Sequence, residues 1–329
     1  MTEDFKSTIF ADCQILRRKM KYRIFARFYR LLFVVQLGLA LPLTSCSSGV
    51  QQKPDTTGGF WFTPVDLPEK LDFAGEKVPM EYYDVRENLD RELLSTAYFH
   101  SQTIRYIKSA PRYFSIIEPI LKENGVPEDF KYLCVAESGF DPRALSPAKA
   151  AGFWQLLEST ARENGLEVNS EVDERYNIEK ATIVACKLLK SAYAKYGSWA
   201  LVAASYNGGR AGLDQKMAVQ KAKSYYDLLF VDETTRYVFR ILALKLVMEH
   251  PEEYGFKIPK KQLYPIIKTD NVELHGSVAN LANYAISKGI SYKELKNFNP
   301  WLRETYLKNP LKRTYILKIP EKDYRLKSN

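Results

Sequence analysis

Hydrophobic positions recur at helical spacing over most of the chain, from about Val85 to about Glu253. Almost no two-residue alternation interrupts this pattern, and turns that contain glycine, such as Asn124-Gly125, divide it into helices of ordinary length. We therefore predict a mainly α protein with an all-α domain over residues 84–258.

The pattern changes beyond Leu263. A short apolar stretch stands at each end of the remaining sequence, the second being Tyr315–Pro320, and two helical segments lie between them. This order predicts a small α+β domain, βααβ, over residues 262–320.

The N-terminal segment has a different character. Residues 21–45 are a basic stretch followed by an apolar run of signal-peptide length, too short for a spanning helix. We predict an export signal over residues 1–45. A start at Met20 would give a signal of more usual length than one at Met1, so the true start codon stays open.

The apolar run ends in Leu43-Thr44-Ser45-Cys46, which resembles the lipobox of bacterial lipoproteins. We expect Cys46 to be acylated and residues 46–83 to form the lipidated N-terminus and a linker. An ordinary signal peptide with a chance cysteine is the alternative. Because Ser47, and not Asp, follows Cys46, the resemblance to lipoprotein sorting rules favours the periplasmic face of the outer membrane.

The formal net charge of +9 depends largely on this segment. Residues 1–45 contain eight Lys or Arg and three acidic residues, so that 40 basic and 36 acidic residues remain after its removal. The resulting charge of +4 argues against a nucleic-acid partner. It is compatible with a mildly anionic polymer such as a cell wall, and equally with no charged partner.

Cysteine and histidine are scarce in the exported part. Cys134 and Cys186 fall on predicted helices, where two buried free thiols are the default and a disulfide between them is the alternative. The three histidines lie far apart and show no metal-ligand spacing. We predict neither a metal nor a cofactor.

One carboxylate breaks the apolar pattern. Phe130, Leu133, Cys134 and Glu137 stand at i, i+3, i+4 and i+7, so Glu137 occupies an inward position. Gly139 is a natural stop, which puts Glu137 in the last turn of its helix. Burial and the negative end of the helix dipole should both raise its pKa, as a general acid requires, while a structural Glu–Arg pair is the alternative.

Four short motifs follow one another across residues 126–245. They are Glu137-Ser138, Gly152-Phe153-Trp154-Gln155, Ser205-Tyr206-Asn207 and Glu233–Val238. Their order resembles the transglycosylase SLT domain of the goose-lysozyme-like superfamily, most closely its membrane-bound lytic murein transglycosylase D branch. The departures are small: Trp154 where many members carry Met, Glu158 where the family often has Pro, and Ser205 for Ala.

This resemblance implies a lysozyme-like all-α catalytic domain that cleaves peptidoglycan between N-acetylmuramic acid and N-acetylglucosamine. Glu137 would be the single catalytic residue, first an acid towards the glycosidic oxygen and then a base towards the C6 hydroxyl. The substrate's acetamido group would stabilise the charge at C1, and the product would be a 1,6-anhydro end.

The resemblance also implies five substrate-binding residues. Ser138 and Asn207 would hydrogen-bond the acetamido group, and Tyr206 and Tyr237 would orient Glu137 or the sugar. Gln155 would form the floor of the sugar cleft. A local cap or core packing is the alternative for each of them.

Three neighbouring residues have less defined roles. Phe153 and Trp154 fit the core as well as a sugar platform. Asp141, between Gly139-Phe140 and Pro142, is interpreted as a turn residue and not as a second catalytic acid.

The C-terminal domain resembles a LysM module, although Gly276-Ser277-Val278 replaces the usual start and the insertion from Glu304 to Lys312 is long. If it binds glycan, it should raise the local substrate concentration without changing the chemistry. Two further functional classes stay open, a non-catalytic peptidoglycan-binding lipoprotein and a true lysozyme-type hydrolase.

Overall fold

The computed structural model describes residues 64–326. The predicted signal, Cys46 and residues 46–63 of the predicted linker lie outside the described residues. Within the described range the α-helices are α1 (Tyr83–Tyr98), α2 (His100–Glu123), α3 (Phe130–Ser138), α4 (Glu158–Glu163), α5 (Ile178–Tyr196), α6 (Trp199–Gly208), α7 (Arg210–Gln220), α8 (Asp232–Glu249), α9 (Leu281–Ser287) and α10 (Tyr292–Phe298).

The described strands form two small antiparallel sheets. β1 (Leu71–Phe73) pairs with β2 (Glu76–Val78), and β3 (Thr269–Leu274) pairs with β4 (Tyr315–Pro320) in full register. With α9 and α10 between β3 and β4, the C-terminal domain has the predicted βααβ order. The predicted mainly α class is confirmed.

The β1–β2 hairpin corrects the predicted linker over residues 46–83. Ala74 and Gly75 at its turn have φ values of 55° and 80°, the positive values that a type I′ hairpin turn requires. Phe73 and Val78 are buried in the main core. Each strand has only three residues, too few to show an alternating pattern in the sequence.

The hairpin holds the beginning of α6 in place. The Glu76 carboxylate accepts hydrogen bonds from the Trp199 backbone N–H at 2.8 Å and from the Ser198 hydroxyl at 3.0 Å. A negative charge at a helix N-terminus satisfies free N–H groups and complements the helix dipole. The Phe73 ring lies 5.4 Å from the Phe130 ring, centroid to centroid, which joins the hairpin to α3 as well.

Helix α3 is short and has defined ends. It begins at Phe130, after a turn in which the Phe130 N–H donates to the Pro127 carbonyl at 3.1 Å. Asp129 does not cap the helix; its carboxylate accepts from the Ala74 N–H and from Lys245, each at 2.7 Å. Gly139 ends the helix in the left-handed conformation (φ 55°), as predicted.

Helix α8 is the centre of the helical domain, because α1, α3 and α6 all pack against it. Its residues from Tyr237 to Leu246 are largely buried. Within residues 64–326 no helix is both long enough and apolar enough to cross a membrane.

The C-terminal domain has its own hydrophobic core, and three residues of the helical part belong to it. Ala151, Val172 and Tyr176 are buried among residues such as Trp301 and Leu302. Val172 and Leu302 also form a β-bridge. The boundary predicted near residue 262 is therefore not a boundary of this core.

Polar contacts reinforce the same junction. The Asp173 N–H donates to the Trp301 carbonyl at 2.9 Å, and the Arg303 N–H donates to the Glu171 carbonyl at 2.8 Å. Glu167 accepts from both Arg313 and the Tyr315 hydroxyl at 3.0 Å. The C-terminal domain is thus attached to the segment that lies between the second motif and α5.

We expect Leu302→Ala to destabilise the helical domain together with the C-terminal domain. Leu302 is 1% exposed, and a cavity of this kind costs about 2–5 kcal/mol of unfolding free energy. Calorimetry should show one transition that moves to lower temperature as a whole. Leu311→Ala is the matched control, since Leu311 in the same domain is 68% exposed. A helical-domain transition that stays at the wild-type temperature would contradict this prediction.

Candidate active site

The four sequence motifs meet through a chain of hydrogen bonds. The Tyr237 hydroxyl, from α8, donates to the Glu137 carboxylate at the end of α3. The Tyr206 hydroxyl, from α6, donates to the Trp154 carbonyl at 2.7 Å. Thr234 on α8 donates to the Asn207 side-chain oxygen at 3.0 Å. Segments far apart in sequence are thereby joined to one another, and Tyr237 joins them to the Glu137 carboxyl group.

Glu137 lies at the surface end of a buried helix. Its side chain is half-buried, whereas residues 130–135 of α3 are fully buried. Close packing also surrounds the following Gly139, where an added Cβ would lie 2.8 Å from the Tyr106 hydroxyl. Backbone conformation and packing both favour glycine there, and they determine where the helix ends.

The pKa of Glu137 is raised to about 7. Burial is the largest cause, because desolvation disfavours the charged form; the Tyr237 hydrogen bond and the positive charge of Arg240 act in the opposite direction. Glu233 adds a smaller upward shift. The carboxyl group is therefore substantially protonated near neutral pH, as the sequence pattern predicted.

Arg240 does not form an ion pair with Glu137. Its Nε lies 3.5 Å from the carboxylate of Glu92, and the same carboxylate forms an ion pair with Arg236. Glu92 is buried on α1, so two arginines of α8 share one buried carboxylate. This arrangement argues against the alternative of a structural Glu–Arg pair at Glu137. Nothing in the local sequence around Glu92 distinguished it as a partner of α8.

Trp154 belongs to the core. Its side chain is fully buried, and its indole N–H donates to the Thr182 hydroxyl at 2.8 Å. Its backbone carbonyl accepts a hydrogen bond from the Tyr206 hydroxyl. Phe153 is 2% exposed and packs beside Tyr113. The core alternative is therefore correct for Trp154, and Phe153 is also largely core.

Gln155 is held in an unusual backbone conformation, with φ 45°. Its amide donates to the Gly152 carbonyl at 2.8 Å and to the Ala144 carbonyl at 3.3 Å. A Cβ on Gly152 would lie 2.0 Å from the Arg175 carbonyl oxygen, so this turn can approach residue 175 only with glycine. The side-chain oxygen of Gln155 accepts none of these bonds.

Two polar residues near Glu137 serve local structure. The Ser138 hydroxyl donates to the Cys134 carbonyl at 3.1 Å, a bond within its own helix that leaves its oxygen able to accept. Asp141 accepts from the Arg143 backbone N–H at 2.9 Å and is exposed, which confirms its interpretation as a turn residue.

Cys134 and Cys186 are both free and buried, which was the default expectation. Burial raises the pKa of Cys186 to about 11 and that of Cys134 well above its usual range, so neither is a reactive thiolate. Among residues 64–326 no group of three or more His, Cys, Asp or Glu side chains could hold a metal ion.

Comparison with known families agrees with the sequence motifs. Residues 114–229 match the model of the transglycosylase SLT domain, and residues 270–323 match the soluble lytic transglycosylase C-terminal LysM-like domain. Two successive parts of the chain are thus similar to an SLT domain and to a LysM-like domain. The predicted resemblance is confirmed.

Curated relatives agree with the predicted branch. The chain is 29% identical over 243 residues to membrane-bound lytic murein transglycosylase D of Escherichia coli K12, and the protein of the O6:H1 strain matches equally. The match covers 71% of this chain and 52% of the relative. The chain therefore spans about half the length of the curated relatives it matches.

A solved structure of the lytic transglycosylase Slt from Pseudomonas aeruginosa, an inactive mutant, is also similar. The two sequences are 17% identical, and the match covers 55% of this chain and 35% of the Slt chain, with a TM-score of 0.38. This level of similarity is too low to establish a shared fold by itself.

We expect Glu137→Gln to stabilise the protein more at pH 8 than at pH 4. Between its ordinary pKa of 4.5 and about 7, the folded state holds the proton that the unfolded state releases, so wild-type stability falls as pH rises. The uncharged amide escapes that loss, which we put at roughly 1–3 kcal/mol after allowing for solvent screening.

Urea unfolding at the two pH values measures this difference. Glu163→Gln, which replaces an exposed carboxylate at the end of α4 that does not act on Glu137, is the control and should change far less between them. An equal effect of Glu137→Gln at both pH values would show that burial does not raise the pKa of Glu137.

Proposed function

We propose that the protein is a peptidoglycan lytic transglycosylase that cleaves the bond between N-acetylmuramic acid and N-acetylglucosamine and leaves a 1,6-anhydro end. The observation that carries this proposal is Glu137, a half-buried carboxyl group with a pKa near 7 inside an SLT domain. A group that titrates near the working pH can both give and take a proton.

In the proposed reaction the protonated Glu137 gives its proton to the glycosidic oxygen as the bond to C1 breaks. The substrate's acetamido oxygen stabilises the positive charge at C1. Glu137, now a carboxylate, removes the proton of the C6 hydroxyl while that oxygen bonds to C1. The proton count balances, and no water is consumed.

The Tyr237 hydroxyl has a matching role in this proposal. It donates to Glu137, so it stabilises the carboxylate formed after the first step and fixes the orientation of the group. The Asn207 side-chain oxygen accepts a hydrogen bond from Thr234. Its amide N–H groups therefore point away from Thr234 and can donate to the acetamido oxygen of the substrate.

Tyr206, Gln155 and Ser138 complete the proposed site in different ways. Tyr206 acts by fixing the Trp154 carbonyl, and therefore as a positioning residue. Gln155 and Ser138 each keep an oxygen that can accept a hydrogen bond from the sugar, since their donors are used locally.

A lysozyme-type hydrolase is the second candidate, and Glu233 is the observation that favours it. Its charge raises the pKa of Glu137, so a second carboxylate acts on the site, as an inverting hydrolase needs for activating water. Glu233→Gln separates the candidates: a hydrolase should lose most activity, whereas a transglycosylase with one catalytic residue should not.

We expect Glu137→Gln to reduce the release of muropeptides from purified sacculi by at least about a hundredfold, since general acid–base catalysis contributes on that order. The amide retains the shape of the side chain but cannot deliver a proton. Mass spectrometry of the wild-type products tests the reaction class: anhydro ends support a transglycosylase, reducing ends a hydrolase, and no products a binding protein. A folded Glu137→Gln variant with wild-type rates would refute the role of Glu137.

We also propose that Cys46 is acylated and that the protein faces the periplasm from the outer membrane, as an exported lipoprotein. The support is the Leu43–Cys46 sequence and the description of the relatives as membrane-bound. The N-terminal lipid would hold the chain at the membrane, close to the cell wall.

Metabolic labelling with a clickable palmitate tests the anchor. We expect the wild type to be labelled and Cys46→Ala to be neither labelled nor processed by the lipoprotein pathway. Cys186→Ala is the control and should be labelled like the wild type, since that thiol is buried. Equal labelling of the wild type and Cys46→Ala would refute acylation at this residue.

A further inference from the structure

A cavity of about 630 Å³ lies between the helical domain and the LysM-like domain. Helix α2 and the turn after α3 form one side, and α10 with the following Pro300-Trp301 forms the other. Cavities of about 300–1,000 Å³ at domain interfaces, with many aromatic walls and a few polar groups, are usual places for ligands. Glu137 does not line this cavity, although Asp141–Arg143 of its wall follow Glu137 closely in sequence.

The cavity has two arginines without an acidic partner. Arg112 donates to the Pro265 carbonyl at 3.0 Å, and Arg143 donates to the Asn297 side-chain oxygen at 2.7 Å. Both acceptors are neutral. Among the described residues, neither guanidinium forms an ion pair with a carboxylate, and both retain N–H donors beyond the bond named here.

The acidic groups of the same walls are already engaged. Glu179 pairs with Lys318 at 2.9 Å, and Asp141 accepts from the backbone of its own turn. Three cations and two carboxylates line the cavity, which leaves one positive charge. Arginine is suited to bidentate recognition of carboxylates. Tyr113 and Phe298, both half-buried, offer apolar surface in the same cavity.

We propose that this cavity binds the peptide branch of the glycan strand through its free carboxylates, with Arg112 and Arg143 as the recognising groups. The inference rests on the proposed function, since only that function supplies a substrate with acidic peptides. It adds a peptide-binding site, outside the sugar cleft, that needs both domains. The LysM-like domain then contributes to substrate recognition through its contact with the helical domain.

The test is calorimetric titration of the full-length Glu137→Gln variant, which keeps substrate intact. The probes are a disaccharide tetrapeptide, the same disaccharide stripped by an amidase, and a neutral N-acetylglucosamine disaccharide. We expect the tetrapeptide form to bind roughly tenfold more tightly than the stripped form, because two charge-assisted contacts are added. Adding Arg112→Gln and Arg143→Gln should abolish this preference.

Two controls separate recognition from folding. The double variant Lys187→Gln and Lys190→Gln also removes two positive charges, from exposed positions of α5 outside the cavity. It should preserve the preference for the tetrapeptide form. Arg143→Gln alone leaves the Arg112 bond to Pro265 intact and should lose part of the preference without a change in melting temperature.

The remaining outcomes overturn the proposal. An unchanged preference in the double arginine variant means that the peptide binds elsewhere. Equal binding of the tetrapeptide and stripped forms, both weakened by the arginine changes, means that the sugar's own lactyl carboxylate is recognised instead. Failure of the proposed function would be seen separately, as wild-type protein that releases no products from sacculi whatever these titrations show.

Discussion

The desolvation of one carboxyl group, that of Glu137, is the constraint on which the site depends. A carboxylate at the end of a buried helix is disfavoured, and its pKa rises to about 7 as a result. The surrounding structure limits that rise by one hydrogen bond from Tyr237 and by the charge of Arg240. Neutral and charged forms thereby become close in free energy, which is the condition for moving a proton in both directions.

Parts of the fold that are distant from this group in sequence hold its helices in place. The β1–β2 hairpin satisfies the N-terminus of α6 through Glu76 and meets α3 through Phe73 and Asp129. Glu92 fixes two arginines of α8. Each contact sets the position of a helix that carries one motif, so the geometry at Glu137 depends on residues distant from it in sequence.

The LysM-like domain is integrated into this scheme more closely than a mobile substrate-binding module would be. It shares a core with Val172 and Tyr176, and the Arg175 carbonyl beside them leaves room only for Gly152 in the turn that leads to Gln155. A change in the packing of the C-terminal domain can therefore shift the segment around Arg175 and, through it, the turn that carries the second motif.

The sequence alone determined the helical class, the βααβ order, the inward position of Glu137 and the helix stop at Gly139. These follow from periodicity and from the steric properties of single residues, which are local. Tertiary structure decided the rest: the hairpin within the expected linker, the burial of Trp154, the Glu92 cluster and the shared second core. These depend on contacts between residues distant in sequence, and short strands or isolated charges carry no periodic signal that could have predicted them.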